Sequence, residues 1–342
     1  MGGTDRGVEL VSSQGSGSAL VMDIRPGAGS SLPEFLGVLN GRLLFHADNG
    51  SIGREWWIHD PAAGTTTLVK DINPGSGSSD SGWVAMGGFA YMLANGGAQG
   101  RQLWRTDGTA NGTTLVKVVN PSGSAFPTNG YVNACVFGVL NGNRLLFRAT
   151  DGTSGMEVWI SDGTEPGTRR LADINPGSAS SDPSGFTELG GWSYFSANDG
   201  THGRELWRTD GTVVEMVADA HPGTTGLNPA YLCRVGDELF FIGNDGIHGV
   251  EPWGYANGTM RLLKDINPGS ATSYPVSGSV IPSPYQTHAE AGTITVSGTT
   301  VYFAASAPEH GQELWAYTAD STVNQPPSIT VPASGGNALL LP

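Results

Sequence analysis

Three histidines, His202, His248 and His310, recur at one place in the last three copies of a repeated segment, each inside a short polar turn. Asp199 and Asp245 stand close by in two of those copies. Imidazole and carboxylate are side chains that hold divalent metals and move protons near neutral pH. The pattern therefore points to a ligand, metal or acid–base site. The first three copies carry Ile52, Gln99 and Ser154 instead, an asymmetry that a purely structural repeat does not need. Metal binding requires convergence within roughly 2–2.5 Å of one ion. The alternative is that each histidine sits alone and solvated on its own turn. Asp199 and Asp245 are the candidate metal ligands, with calcium as the cation that acidic loops would hold. The chain has no Asp-x-Asp-x-Asp-Gly loop and no His-x-x-x-His pair, and no other cofactor is indicated.

Aromatic residues open the first strand of several copies: Phe35, Trp83, Phe186 and Tyr231. Facing outward they would form a stacking platform for a ligand; facing inward they are core. Two lengthened segments, 123–134 and 270–292, are further candidates for binding, the second carrying Tyr274, Tyr285 and His288. Glu55, Glu157, Glu205, Glu251 and Glu313 also recur. An active site uses one carboxylate in one place, so recurrence in five copies argues for a shared structural bond.

The elements that position these residues are legible as a repeat. Six of the nine tryptophans, Trp57, Trp104, Trp159, Trp207, Trp253 and Trp315, close a Gly-x-Glu/Gln-x-Trp segment, mostly spaced by roughly 46 to 48 residues. In the fourth copy, strand-like runs at 186–189, 192–197, 205–209 and 214–219 are separated by Gly190-Gly191, Asn198-Asp199-Gly200 and Asp210-Gly211. That reads as an up-and-down meander of four strands with tight turns. A Pro-Gly connector follows each fourth strand, as at Asp71-Ile72-Asn73-Pro74-Gly75. Proline cannot continue the ladder, so the strand stops there.

One such unit cannot bury its own apolar face, and the copies must stack or close. The expected fold is all-β, a six-bladed β-propeller of four-stranded antiparallel blades. Leu20–Ile24 is expected to complete the last blade, which has no fourth strand before residue 320. Gly7–Val11 echoes a third strand and is left over. The expected division is an N-terminal extension over 1–19, the propeller over 20–320, and a tail over 321–342 that reads as a linker to an Ig-like module.

The segments Glu205-Leu206-Trp207-Arg208-Thr209-Asp210-Gly211-Thr212 and Glu157-Val158-Trp159-Ile160-Ser161-Asp162-Gly163-Thr164 resemble the ELWxxDGT repeat of bacterial surface and secreted proteins. The Gly64–Gly75 tail matches as well, and the resemblance covers roughly residues 20 to 320. It implies a β-propeller outside the cytoplasm and brings no catalytic residues. Gln102, Pro252 and the end at Tyr317–Asp320 depart from the pattern.

Composition narrows the partners. The 342 residues include 52 Gly and 21 Pro, only 14% are charged, and the formal net charge is −14. Such a surface repels phosphate backbones, which excludes nucleic acid as an expected partner. No apolar run approaches the ~20 residues of a membrane span. Cys135 and Cys233 fit neither a disulfide framework nor a CxxC pair and read as buried thiols. The first residues do not read as a signal peptide, so a secreted origin would place that segment outside this sequence. The reading reached is a monomeric, extracellular or cell-surface, non-catalytic binding or adhesion module, with carbohydrate or an extracellular protein as ligand. The rival is an enzyme, a polysaccharide lyase or hydrolase or a metal-dependent tailoring enzyme, with a His/Asp site.

Overall fold

The computed structural model describes residues 7–14, 17–79, 81–126, 136–273, 294–319 and 329–330. The chain divides into two compact units, Met1–Ser180 and Ser181–Pro342. Within the described residues the strands form seven antiparallel sheets, six of four strands and one of two.

In the first unit, β1 (Leu10–Gln14) pairs with β2 (Gly17–Met22). Three meanders follow. The first holds β3 (Glu34–Leu39), β4 (Arg42–Asp48), β5 (Arg54–Asp60) and β6 (Thr65–Lys70). The second holds β7 (Trp83–Met86), β8 (Phe89–Asn95), β9 (Arg101–Thr106) and β10 (Thr114–Lys117). The third holds β11 (Phe137–Leu140), β12 (Arg144–Ala149), β13 (Glu157–Ser161) and β14 (Arg169–Ala172).

The second unit repeats the plan. It contains β15 (Ser184–Leu189), β16 (Trp192–Asn198), β17 (Arg204–Thr209) and β18 (Val214–Ala218). Next come β19 (Ala230–Val235), β20 (Glu238–Asn244), β21 (Val250–Ala256) and β22 (Thr259–Leu262). The last sheet is β23 (Ile294–Ser297), β24 (Thr300–Ala307), β25 (Gly311–Thr318) and β26 (Ile329–Thr330).

The expected closure by Leu20–Ile24 is corrected by the pairing. β2 bonds to β1, and the fourth strand of the last sheet is β26. The reason lies in Glu9, whose carboxylate accepts the backbone N–H groups of Ile24 at 3.1 Å and Ser31 at 2.9 Å. Leu10–Gln14 is thus paired with Gly17–Met22 in a two-stranded sheet of its own, and Glu9 just before it anchors the connector beyond.

The same bond ties four other sheets to their connectors. Glu55 accepts the N–H of Ile72 at 3.0 Å, Glu157 that of Ile174 at 2.8 Å, and Glu251 that of Ile266 at 3.0 Å. Glu205 accepts from Leu227 at 2.8 Å. All four glutamates are fully buried. Gln102 does the same work with an amide: its oxygen accepts from Val119 at 2.8 Å and its nitrogen donates to Gly123 O at 2.7 Å. The recurrent carboxylate is architectural, as expected, although Glu313 is exposed.

The rest of the repeated motif is also spent on structure. The indole N–H groups of Trp57, Trp159, Trp253 and Trp315 donate to the carbonyls of Ala47, Ala149, Gly243 and Ala305 across the sheet, at 3.0 to 3.2 Å. Asp107 Oδ1 accepts from the Thr109 N–H and hydroxyl, closing the Asp-Gly-Thr turn; Asp162 and Asp210 repeat this. At Asn40-Gly41 both turn residues have positive φ, +51° and +77°, as a two-residue hairpin of matching twist requires.

Middle strands such as β4, β8, β16 and β20 are buried on both faces, because consecutive sheets in each unit pack face to face. Leu44 and Ile58 meet Ala90 and Met92; Tyr91 and Leu93 meet Phe137 and Phe147. In the second unit Leu206 meets Phe241 and Tyr255, and Phe240 packs against Phe303 with the rings tilted by 45° and centroids 5.3 Å apart. Leu10 and Ile24 cover Phe45 and Trp57. Each buried aromatic contributes roughly 1.5–3 kcal/mol by leaving water. Side chains also reach forward to main-chain oxygens of the next sheet: Arg42 to Asp107 O at 2.8 Å, Lys70 to Thr113 O at 2.9 Å, and Arg105 to Gly163 O at 3.0 Å.

Candidate functional site

In the second unit the turn between β16 and β17 and that between β20 and β21 are built alike. Asn198 Oδ1 accepts the Gly200 N–H at 2.7 Å, while Asp199 Oδ1 accepts those of Thr201 and His202, both at 2.8 Å. Asn244 and Asp245 do the same for Gly246, Ile247 and His248. An Asx side chain that caps the backbone two and three residues on makes such a turn rigid. The second oxygen of each aspartate is then free to meet the imidazole. Nδ1 of His202 lies 2.7 Å from Asp199 Oδ2, and Nδ1 of His248 lies 2.7 Å from Asp245 Oδ2.

Each dyad is electrostatically polarised. The Asp199 carboxylate raises the His202 imidazole above its ordinary value, chiefly through the hydrogen bond, with Asp219 and Glu205 adding to it. Asp245 does the same for His248, helped by Asp265 and Glu251. Asp199 and Asp245 are lowered: burial opposes this, but the backbone N–H and imidazole of each partner histidine prevail. The imidazole side chains keep 39% and 34% of their surface exposed, so each ring meets solvent through the side away from its aspartate. Nε2 makes no hydrogen bond among the described residues.

His221 reaches the second dyad from the preceding connector. Its Nδ1 donates to Asn244 O at 3.0 Å, and a β-carbon on Gly246 would come within 2.6 Å of its Nε2. Two imidazoles and a carboxylate therefore share the 244–248 turn. The signal was present in the sequence as a connector histidine, but its contact with the next sheet was not.

The remaining candidates are placed as follows. His310 is exposed on the turn between β24 and β25, where its N–H donates to Ala307 O at 3.2 Å. Trp83 is half-buried and packs over Gly37, whose missing side chain makes room for the indole. Tyr231 is buried among Phe240, Phe303 and Trp315. Neither aromatic offers an open platform. Tyr274, Tyr285 and His288 lie outside the described residues, as does Cys135. Burial pushes the Cys233 thiol up to about 12, which removes it as a nucleophile. Both oxygens of Asp199 and of Asp245 are engaged within their own turns. Among the described residues no group of three or more His, Cys, Asp or Glu side chains converges as a metal site. No helix among them is long and apolar enough to cross a membrane.

No protein-family model matches the chain, and no curated protein resembles it at a significant level. Among solved structures it is similar to the β-propeller domain of the trilobed protease from Pyrococcus furiosus, at 9% identity and a TM-score of 0.42, over 84% of this chain and 82% of that one. It is also similar to a puromycin-hydrolysing peptidase from Mycobacterium tuberculosis, at 13% identity and a TM-score of 0.45, over 94% and 48%. A puromycin hydrolase gives 14% identity and a TM-score of 0.42, over 84% and 52%. The chain spans about half the length of these last two proteins. The expectation of a non-catalytic adhesion module holding carbohydrate is corrected at this point. The turns assigned to ligand binding carry oriented Asp–His dyads, a proton-transfer arrangement rather than an open sugar-binding surface.

Proposed function

We propose that the chain is a β-propeller of an acid–base enzyme, hydrolytic in kind, in which Asp245–His248 and Asp199–His202 are the proton-transfer groups. The observation that carries this reading is the 2.7 Å contact from Nδ1 to a turn-locked carboxylate in both dyads. A carboxylate on Nδ1–H fixes the tautomer and leaves the Nε2 lone pair for a substrate or water. As base, Nε2 takes a proton from water as its oxygen bonds to a carbonyl carbon. As acid, the same nitrogen returns the proton to the leaving amine when the C–N bond breaks. Peptide amides are the first substrates to try, and polysaccharides the second.

The test is hydrolysis of a panel of peptidyl anilides and polysaccharides by the whole chain. Replacing His248 or His202 by alanine should lower turnover by roughly 10²–10⁴-fold. Undiminished turnover in the double variant H202A/H248A, or no turnover by the parent protein, would remove the reading.

The six four-stranded sheets are read as blades, with β1 and β2 as part of a further one, and the repeat as one of the ELWxxDGT type. Support comes from the recurrent Glu-to-connector bond in successive sheets. Solution scattering should then give a radius of gyration near 20 Å, roughly the value of a compact chain of this length. An extended stack would exceed it clearly.

A further inference from the structure

We infer that a cleft in the first unit, beside Arg42, binds a zwitterionic amino acid or short peptide. A cavity of about 310 Å³ lies between β5–β6 and the Asp107–Ala110 turn of the following sheet, with Arg42, Asp60, Thr65, Thr67, Ile58 and Leu68 on its walls. That volume is at the small end of the range for small-molecule sites, roughly 300–1,000 Å³.

Its charges are arranged for a dipolar guest. The Arg42 guanidinium uses one nitrogen on Asp107 O at 2.8 Å, which fixes its position and leaves its other N–H groups unspent. Asp60 uses Oδ1 to cap the N–H groups of Ala62 and Ala63, at 2.9 and 3.1 Å, and leaves Oδ2 unspent. The two line one cleft yet form no ion pair with each other among the described residues. A ligand with a carboxylate at one end and an ammonium at the other satisfies both. Guanidinium pairs well with a carboxylate, and threonine hydroxyls can serve the amide between. Ile58 and Leu68 offer contact for a small apolar side chain.

The cleft exists because this sheet departs from its neighbour. On β8 and β9 the facing pair is Tyr91–Arg105, and both reach Gly163 of the next sheet, the arginine by a 3.0 Å hydrogen bond. The register-equivalent pair on β4 and β5 is Leu44–Ile58, and there the aliphatic Ile58, with Arg42 beside it, approaches Gly108 where a tyrosine ring approaches Gly163. The turn after β5 is also distinct, Asp60-Pro61 in place of Asp-Gly.

Calorimetric titration of the full chain tests the site, with the dipeptide Ala-Ala, its N-acetylated form and its C-terminal amide as probes. Ala-Ala should bind with a dissociation constant of about 1 mM or below, and each blocked form at least tenfold more weakly. Asp60→Asn keeps the turn cap and should erase the preference for a free amine. Arg42→Ala should erase the preference for a free carboxylate. Equal binding of the acetylated form, an unchanged profile in Asp60→Asn, or no binding of any probe would overturn the inference. His202 and His248 take no part, so H202A/H248A should bind Ala-Ala normally whatever its catalytic outcome.

Discussion

The Glu251 carboxylate accepts the backbone N–H of Ile266 at 3.0 Å, fifteen residues along the chain, and so pins the connector that leaves its sheet. Gln102 shows that an amide can hold the same place. Glu251→Gln should therefore cost less than about 1 kcal/mol, whereas Glu251→Ala leaves buried donors unpaired and should cost about 3 kcal/mol. Denaturant midpoints of the two variants check this. Equal loss in both would mean the bond is not what holds the connector.

Burial lifts Glu55, Glu205 and Glu251 from 4.5 to about 7, with Asp71, Asp219 and Asp265 beside them adding to the shift. The folded chain thus binds these protons more tightly than the unfolded one. Their contribution is complete below about pH 4.5 and is lost as the pH rises through about 7. Asp151 and Asp210, lowered to about 2, act oppositely. For Asp151, burial pushes upward but the turn N–H groups prevail; for Asp210, the Thr212 hydroxyl leads. Their contribution is present above 3.8 and fades as the pH falls toward about 2. Melting temperature should peak near about pH 5 and decline toward about pH 8, and the triple variant E55Q/E205Q/E251Q should flatten that decline. A flat profile in the parent chain would contradict the assignment.

Asp245→Asn removes the charge that raises His248 while keeping an oxygen for the turn. The imidazole should then titrate closer to its ordinary value, and His202 should not move. Nuclear magnetic resonance titration of the ring protons reads both at once. An unmoved His248 would show that the dyad does not form in solution.

Gly163 has a φ of +87°, and a β-carbon there would overlap the Tyr91 hydroxyl. Gly163→Ala should cost roughly 2 kcal/mol or more. Tyr91→Ala added to it should restore part of the loss, a coupling that thermal denaturation of the double-mutant cycle can measure.

The repeat was readable in the sequence because its turns need glycine or asparagine at fixed places, as at Asn40-Gly41 and Gly190-Gly191. Strand positions followed from those turns. The end of the chain misled for a physical reason: Ile329–Thr330 lies within a proline-rich stretch that reads as a linker, and its pairing depends on β25, a strand separated from it by that stretch. Gly7–Val11 carried a genuine signal in Glu9, which binds its connector as the repeated glutamates do, but the slot it matched was already filled by Glu313–Trp315. The histidine turns were visible as positions only. That Asp199 and Asp245 each hold the histidine three residues on, and that His221 crosses to the next turn, are facts of side-chain direction that spacing does not report. The Arg42 cleft was marked in the sequence only by Asp60-Pro61, a departure whose meaning lies in the neighbouring sheet.

Arg42, Lys70 and Arg105 each grip a carbonyl of the following sheet rather than one particular side chain. A carbonyl is present whatever residue bears it. At these three contacts the identity of the facing residue is therefore unconstrained, and a substitution there leaves the grip intact.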